Sequence, residues 1–375
     1  MLKIGVVGVG GISRSHIAAW TKMDDAQLTA LCDVRPEMME KYPDIPHYTD
    51  FEEMLEKENL DILDICLPTY LHADYAVKAM EKGIHVLCEK PISLKREDVA
   101  RVYGTAKAHK VCFMVAQVLR FWTEYEFVKE VYEDGRYGKL LSGHMSRLGN
   151  CPKWSWDGWM RDESRSGLTP YDLHIHDLDY MVYTFGAPKR VQTNRSKRPE
   201  QDYLQAVYQF DGFFISAEAS WYDAAYPFGA KFRFQFEKAV VANEGNGLTI
   251  YESSGNILTP MAVPEDGDTG AISLPKTNAY ANEIRYFTDC VKDGRFPDKV
   301  KPQELETVID ILNGLEIRTP MPDECECEYS GKVRPITIGR PALEWNPKFI
   351  EDIPDILVKN AISKTYADIN KNRIM

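Results

Sequence analysis

No apolar run in these 375 residues approaches the length needed to cross a bilayer as a helix, roughly 18 residues. A basic excess is missing too: 45 Lys and Arg face 57 Asp and Glu, for a net charge of −12, and no basic block interrupts the chain. Neither a membrane nor a nucleic-acid partner is therefore expected. There is no internal repeat and no low-complexity stretch. Met1-Leu2-Lys3 runs straight into a strand pattern without a leader, so the expected compartment is cytoplasmic. A zinc-type cysteine array is absent, because Cys325 and Cys327 form a Cys-x-Cys pair with no second cluster. The other cysteines include Cys32, Cys66, Cys88 and Cys112, which fall in or beside strand patterns and read as small core residues in a reducing environment. What the chain does have is 44% hydrophobic residues, enough for two cores in two domains.

The first of those domains opens on a strand pattern, Leu2 to Val7, followed at once by Gly8-Val9-Gly10-Gly11-Ile12-Ser13 and a helical stretch through Ala18, Ala19 and Trp20. Gly8 permits a tight turn, and Gly10 lets a pyrophosphate approach the backbone at the positive end of a helix. Ser13 takes the third glycine position and is small enough for the helix to pack on the strand. Asp33 ends the apolar run Leu28 to Cys32, 20 residues beyond Ser13. A carboxylate there accepts the ribose hydroxyls of NAD and repels the extra phosphate of NADP. Arg35 is the one neighbour that would neutralise such a phosphate, and otherwise reads as a solvated residue at a helix start. The expected cofactor is NAD, with NADP left open.

Two further strand ends aim at the same place. Leu60 to Leu67 leads into Pro68-Thr69-Tyr70-Leu71-His72 and a helical stretch from Ala73 to Lys82, which sets Thr69 and His72 near the cofactor. Gly83-Ile84-His85-Val86-Leu87-Cys88-Glu89-Lys90-Pro91 reads as a turn, a buried strand and a proline stop that leaves Glu89 and Lys90 at the strand exit. In open α/β sheets, ligands bind beyond the carboxyl ends of the strands, where substrate and cofactor meet.

These motifs, in this order, resemble the glucose-fructose oxidoreductase and inositol dehydrogenase family, Gfo/Idh/MocA. The resemblance extends to Ser166-Gly167-Leu168-Thr169-Pro170-Tyr171-Asp172-Leu173-His174-Ile175-His176-Asp177-Leu178-Asp179. The expected fold is α/β: an N-terminal Rossmann domain over 1–121, then a substrate-binding α+β domain over 122–334, where alternation in Phe213 to Trp221, Lys231 to Phe236 and Ala239 to Asn243 points to an open, largely antiparallel sheet and helical stretches recur at Ala281 to Asp293 and Pro302 to Arg318. An extension over 335–375, with a helix expected from Ile353 to Ile369, is the part least covered by the resemblance. The resemblance places Lys90, Asp172 and His176 on the catalytic positions. It also implies a sugar or cyclitol substrate and a homo-oligomer, dimer or tetramer. The glycine-rich lead-in is reduced here to Gly167, and His174 stands where a small residue is frequent.

Chemistry argued from residue types agrees. Oxidising a secondary alcohol needs a base for the hydroxyl proton, which suits His176, and a hydride acceptor, which nicotinamide supplies. Lys90 would stabilise alkoxide character on the reacting oxygen. Asp172, four residues before His176, shares its helix face and would orient a hydroxyl or the imidazole. Trp159, Arg161, His174 and Tyr280 complete the expected substrate contacts, with Trp154 and Trp156 in the same aromatic loop. His174 and His176 would make a metal pair only in an extended segment, and no metal is expected. Two rival readings use the same features: an NAD-dependent enzyme that cleaves glycosides by transient oxidation and elimination, and a non-catalytic NAD-binding sensor.

Overall fold

The computed structural model describes residues 1–260 and 278–315. The extension over 335–375, a helix expected over Ile353 to Ile369, and Cys325 and Cys327 lie outside the described residues.

β1 (Leu2–Val7) is buried on both faces from Ile4 onward, which is why it reads as a continuous apolar run. It feeds α1 (Ser13–Thr21) and then β2 (Ala26–Cys32). A two-residue strand, β3 (His47–Tyr48), escapes sequence reading because it carries no period. α2 (Phe51–Lys57), β4 (Ile62–Ile65), α3 (His72–Glu81), β5 (His85–Glu89), α4 (Arg96–His109) and β6 (Phe113–Ala116) follow. The six strands form one parallel sheet in the order β3-β2-β1-β4-β5-β6. Strand order reverses between β1 and β4. That crevice receives the Gly8 turn and the exits of β4 and β5, as the topological rule requires.

α5 (Thr123–Asp134) closes on Gly135 in the left-handed region, φ 67°. β7 (Leu140–Asn150) begins the second sheet. α6 (Glu163–Ser166), a π-helical turn over Pro170–His174 and α7 (Ile175–Phe185) follow it. Then come β8 (Arg190–Arg198), β9 (Gln201–Gln209), β10 (Phe214–Tyr222), β11 (Gly229–Phe236), β12 (Ala239–Asn243), β13 (Leu248–Glu252) and β14 (Ile257–Leu258). The strand order is β14-β13-β12-β11-β7-β10-β9-β8, and every pairing is antiparallel except β7 with β10, which run parallel from Ser142↔Phe214 to Asn150↔Tyr222. The expected Rossmann sheet and open, largely antiparallel sheet are both present.

Two helices stitch the sheets together. α8 (Ala279–Lys292) puts Ile284 and Phe287 into the core of the first sheet. α9 (Pro302–Asn313) ends before the expected Arg318 and divides its faces: Leu305 and Ile309 enter the first core, Val308 and Leu312 the second. Each pair is spaced i, i+4, so one helix presents an apolar stripe to each side. Between them lies Arg120, with no solvent exposure; it donates to Asp179 at 2.6 and 2.8 Å, to the Lys299 carbonyl at 2.8 Å, and to Glu304.

Candidate active site

The crevice opens into a cavity of about 1420 Å³ that runs from the Gly8 turn to His176. Its cofactor end is built from backbone geometry. Gly8 has φ +87°, and a Cβ there would sit 2.6 Å from the Cys66 carbonyl oxygen, so glycine is required for β1 to turn against the exit of β4. A Cβ on Gly10 would meet nothing within 4 Å. The space above the α1 N-terminus is therefore open, and the free N–H groups there suit a pyrophosphate. Ser13 is fully buried with its hydroxyl on the Gly10 carbonyl at 3.0 Å, which is how the imperfect third position still closes the turn. Asp33 accepts from Val9 N–H at 2.9 Å through Oδ2 and from Arg35 N–H at 2.9 Å through Oδ1. Arg35 is not a solvated helix-start residue: its guanidinium pairs with Asp33 at 3.1 Å and lies over the Trp156 ring at 5.5 Å. These residues fit a dinucleotide.

The other end gathers three side chains from distant segments. Lys90 leaves β5 with its backbone N–H on Glu89 Oε2 at 3.0 Å, and its Nζ donates to the Asp172 carbonyl at 2.7 Å and to Oδ1 at 3.4 Å. Asp172 sits in the π-helical turn and His176 in the first turn of α7, and both line the cavity beside Lys90. Burial, then the Lys90 and Arg147 charges, hold His176 well below its ordinary 6.5 and hence neutral. Its Nδ1 is enclosed without a partner among the described residues, so Nε2 is the nitrogen open to the cavity.

Gly8, Gly10, Gly11, Ile12, Pro68, Thr69, Glu89, Trp159 and Tyr280 also line the cavity. Three expected residues are placed elsewhere. His174 is fully buried with Nε2 against the Tyr208 hydroxyl at 2.5 Å, and burial, then Arg147, pushes it down to about 3. It points away because the segment is helical, which also rules out the strand-like pairing with His176. Arg161 turns outward to Glu200 at 2.9 Å. His72 is buried between the Pro91 and Leu67 carbonyls at 2.7 and 2.6 Å, tying the exits of β4 and β5 together.

Sequence reading missed Arg147, Tyr226 and Phe228, which line the cavity from β7 and the connection between β10 and β11. No motif marks them. Asp177 is buried and paired with Arg147 at 2.8 Å. Among the described residues one group, His16, Asp64 and Cys66, brings metal-ligating atoms within 4.8 Å of one another. Those atoms already bond each other, and Trp20 Nε1 donates to Asp64 at 2.7 Å, so the group is an internal hydrogen-bonded cluster.

Residues 2–117 match the oxidoreductase family with an NAD-binding Rossmann fold, and residues 125–242 match the GFO/IDH/MocA C-terminal domain. The chain is similar to myo-inositol 2-dehydrogenase of Thermotoga maritima, 27% identical over 315 residues covering 79% of this chain and 90% of that protein. It is also similar to 2,7-anhydro-N-acetylneuraminate hydratase of Mediterraneibacter gnavus, 29% identical over 182 residues, 48% of each chain. The chain spans about half the length of most of the curated relatives it matches. Among solved structures, myo-inositol 2-dehydrogenase of Lactobacillus plantarum superposes with a TM-score of 0.69 at 20% identity, covering 84% of this chain and 96% of that one, which shows the fold.

Proposed function

Since this chain belongs to the Gfo/Idh/MocA oxidoreductase family, we propose that it oxidises a secondary hydroxyl of an uncharged sugar, cyclitol or sugar derivative. The observation that carries this reading is the meeting of Lys90, Asp172 and His176 at one end of a cavity whose other end fits a dinucleotide. When bound, NAD supplies the hydride acceptor. With its proton on the enclosed Nδ1, neutral His176 offers the Nε2 lone pair to the substrate hydroxyl. The Lys90 ammonium, held by the Asp172 carbonyl, donates to the same oxygen as negative charge develops on it. Asp172 keeps Lys90 in place and accepts a neighbouring substrate hydroxyl.

Charge bookkeeping favours a neutral substrate. Of the cations lining the cavity, Arg35 is paired with Asp33, Lys78 with Glu52, Lys90 with Asp172 and Arg147 with Asp177. Arg14, with no ion pair among the described residues, stands in α1 where cofactor phosphates fit. A substrate phosphate or carboxylate near His176 would find no unengaged cation among the described residues. An NADH-absorbance screen of cyclitols and methyl glycosides beside their phosphorylated or carboxylated counterparts tests this. Turnover of the charged member alone would overturn it.

A second reading has a specific observation behind it: one relative is a hydratase, a reaction with no net redox change. Substrate consumption without NADH accumulating would select transient oxidation in place of net dehydrogenation. Turnover of no substrate, with NAD bound, would leave the sensor. The reading extends to a homo-oligomer, supported by Leu141, Phe214 and Tyr251 standing 41–48% exposed on the second sheet. Light scattering at micromolar concentration tests it, and a lone 42.9 kDa species would refute it. A cytoplasmic setting is supported by six buried free thiols among the described residues.

A further inference from the structure

Beneath the catalytic end lies a buried network that the reaction itself does not use. His16, in the first turns of α1 and without solvent exposure, directs Nδ1 at both oxygens of Asp64, 3.1 and 2.9 Å, and Nε2 at Glu89 Oε1, 3.1 Å. A carboxylate can only accept, so both ring nitrogens must donate, and His16 is an imidazolium. Burial alone would lower its pKa, but the Asp64 charge and hydrogen bond outweigh that and leave it well above 6.5. Glu89 is buried too; the hydrogen bond and charge of His16, and then Lys90, overcome its desolvation and keep it ionised.

The remaining neighbours are accounted for. Trp20 Nε1 donates to Asp64 Oδ2 at 2.7 Å, Cys66 Sγ lies 3.7 Å from Oδ1, and the Tyr280 ring stands 5.7 Å from the His16 ring. Glu283, from α8, is fully buried with neither oxygen hydrogen-bonded among the described residues; burial and the Glu89 charge push it well up, so it is neutral and leaves the His16 charge to the two carboxylates. Charges therefore alternate along one chain of contacts: Asp64, His16, Glu89, Lys90, Asp172. The chain runs from the Rossmann core to the turn that carries half of the catalytic end. Glu89 is its pivot, with Oε1 on His16 and Oε2 on the Lys90 backbone N–H at 3.0 Å.

We infer that His16 is a positioning residue for Lys90: by locking the Glu89 carboxylate, it fixes the direction in which Lys90 leaves the strand and meets Asp172. This inference rests on the proposed function for Lys90's role and goes beyond it in assigning His16 and Glu89. A lysine swung by about 1 Å loses the oxygen it must stabilise, an effect on the order of a hundredfold in rate.

The test uses the full chain with Glu89→Gln and His16→Gln, and a neutral cyclitol or methyl glycoside that the wild type oxidises. The variants are expected to lower kcat at least about tenfold, with NADH affinity within about threefold. The primary isotope effect with the carbon-deuterated substrate should rise, because hydride transfer itself is slowed. A merely structural defect would reduce the fraction of active enzyme and leave the isotope effect alone. In parallel, the histidine ring carbon–proton spectrum of the wild type should contain an imidazolium signal that is unchanged from pH 6 to 8.5 and is lost in His16→Gln. An unchanged kcat and isotope effect in either variant would overturn the inference. So would a His16 ring that is neutral at pH 7.5; assigned in the wild type through the Tyr280 ring 5.7 Å away, that reading stands even if a variant does not fold. A wild type that oxidises no probe would refute the proposed function, and the ring titration would still decide the His16–Glu89 contact.

Discussion

Two glycines in one turn are expected to fail in opposite ways when given a methyl group. In Gly8→Ala the new Cβ would lie 2.6 Å from the Cys66 carbonyl oxygen, 2.8 Å from its carbon and 2.9 Å from Leu67 N. All three are backbone atoms at the exit of a central strand, so no side chain can swing aside. The φ of +87° adds strain. A left-handed alanine costs about 1–2 kcal/mol and overpacking about 1–3 kcal/mol, for a total of about 2–5 kcal/mol. Against a typical stability of about 5–15 kcal/mol, that is a loss readily seen in a melt. Gly10→Ala adds the same methyl where nothing lies within 4 Å, at a φ outside the left-handed region, so the fold should stay within about 0.5 kcal/mol of wild type. Its methyl occupies the space where a pyrophosphate would approach the backbone, and NADH affinity should fall at least about tenfold. Urea unfolding and NADH fluorescence titration on the two variants separate the effects. A Gly8→Ala protein as stable as wild type, or a Gly10→Ala protein that binds NADH normally, would refute the geometry of the turn.

Lys90→Met and His176→Gln are expected to keep NADH binding while kcat/KM falls by roughly 10²-fold to 10⁴-fold, and near-normal turnover by either would unseat it as a catalytic group. Because His176 is held low, the acid limb of the pH–rate profile should lie below 6.5; in Lys90→Met it should move toward 6.5, since one of the cations depressing it is gone. Stability should peak near pH 6.5. His174, neutral in the fold, loses about 1.4 kcal/mol per pH unit as pH falls below its unfolded value, while His16, charged in the fold, loses stability as pH rises above it. A melting temperature that is flat from pH 5 to 8 would contradict both assignments. Arg120→Leu strands the Asp179 carboxylate and should cost about 3–5 kcal/mol in urea unfolding, and a change under about 1 kcal/mol would mean the pair is not buried as described. NAD should exceed NADP in kcat/KM at least about tenfold, with Asp33→Ser narrowing the gap; equal use of the two by wild type would mean that Arg35 escapes Asp33.

The sequence by itself determined what depends on local pattern. Strands buried on both faces read as apolar runs, period-2 alternation marked β10 to β12, and the Gly8 turn, the β4 exit and the β5 exit were each legible as a short motif at a strand end. Because ligands collect at the carboxyl ends of parallel strands, those motifs already pointed to one crevice. What only the tertiary structure decided is which side of a residue faces that crevice. Asp172, His174 and His176 alternate along the chain, yet a π-helical turn running into α7 turns Asp172 and His176 inward and His174 against Tyr208. Arg147 and Phe228 reach the cavity from elements whose own pattern says only strand and connection. The His16–Glu89–Lys90 chain joins residues 73 positions apart and more. Hydrogen bonds and charges act through space over a few ångströms, and no periodicity along the chain records a contact that exists only once two distant segments are packed together.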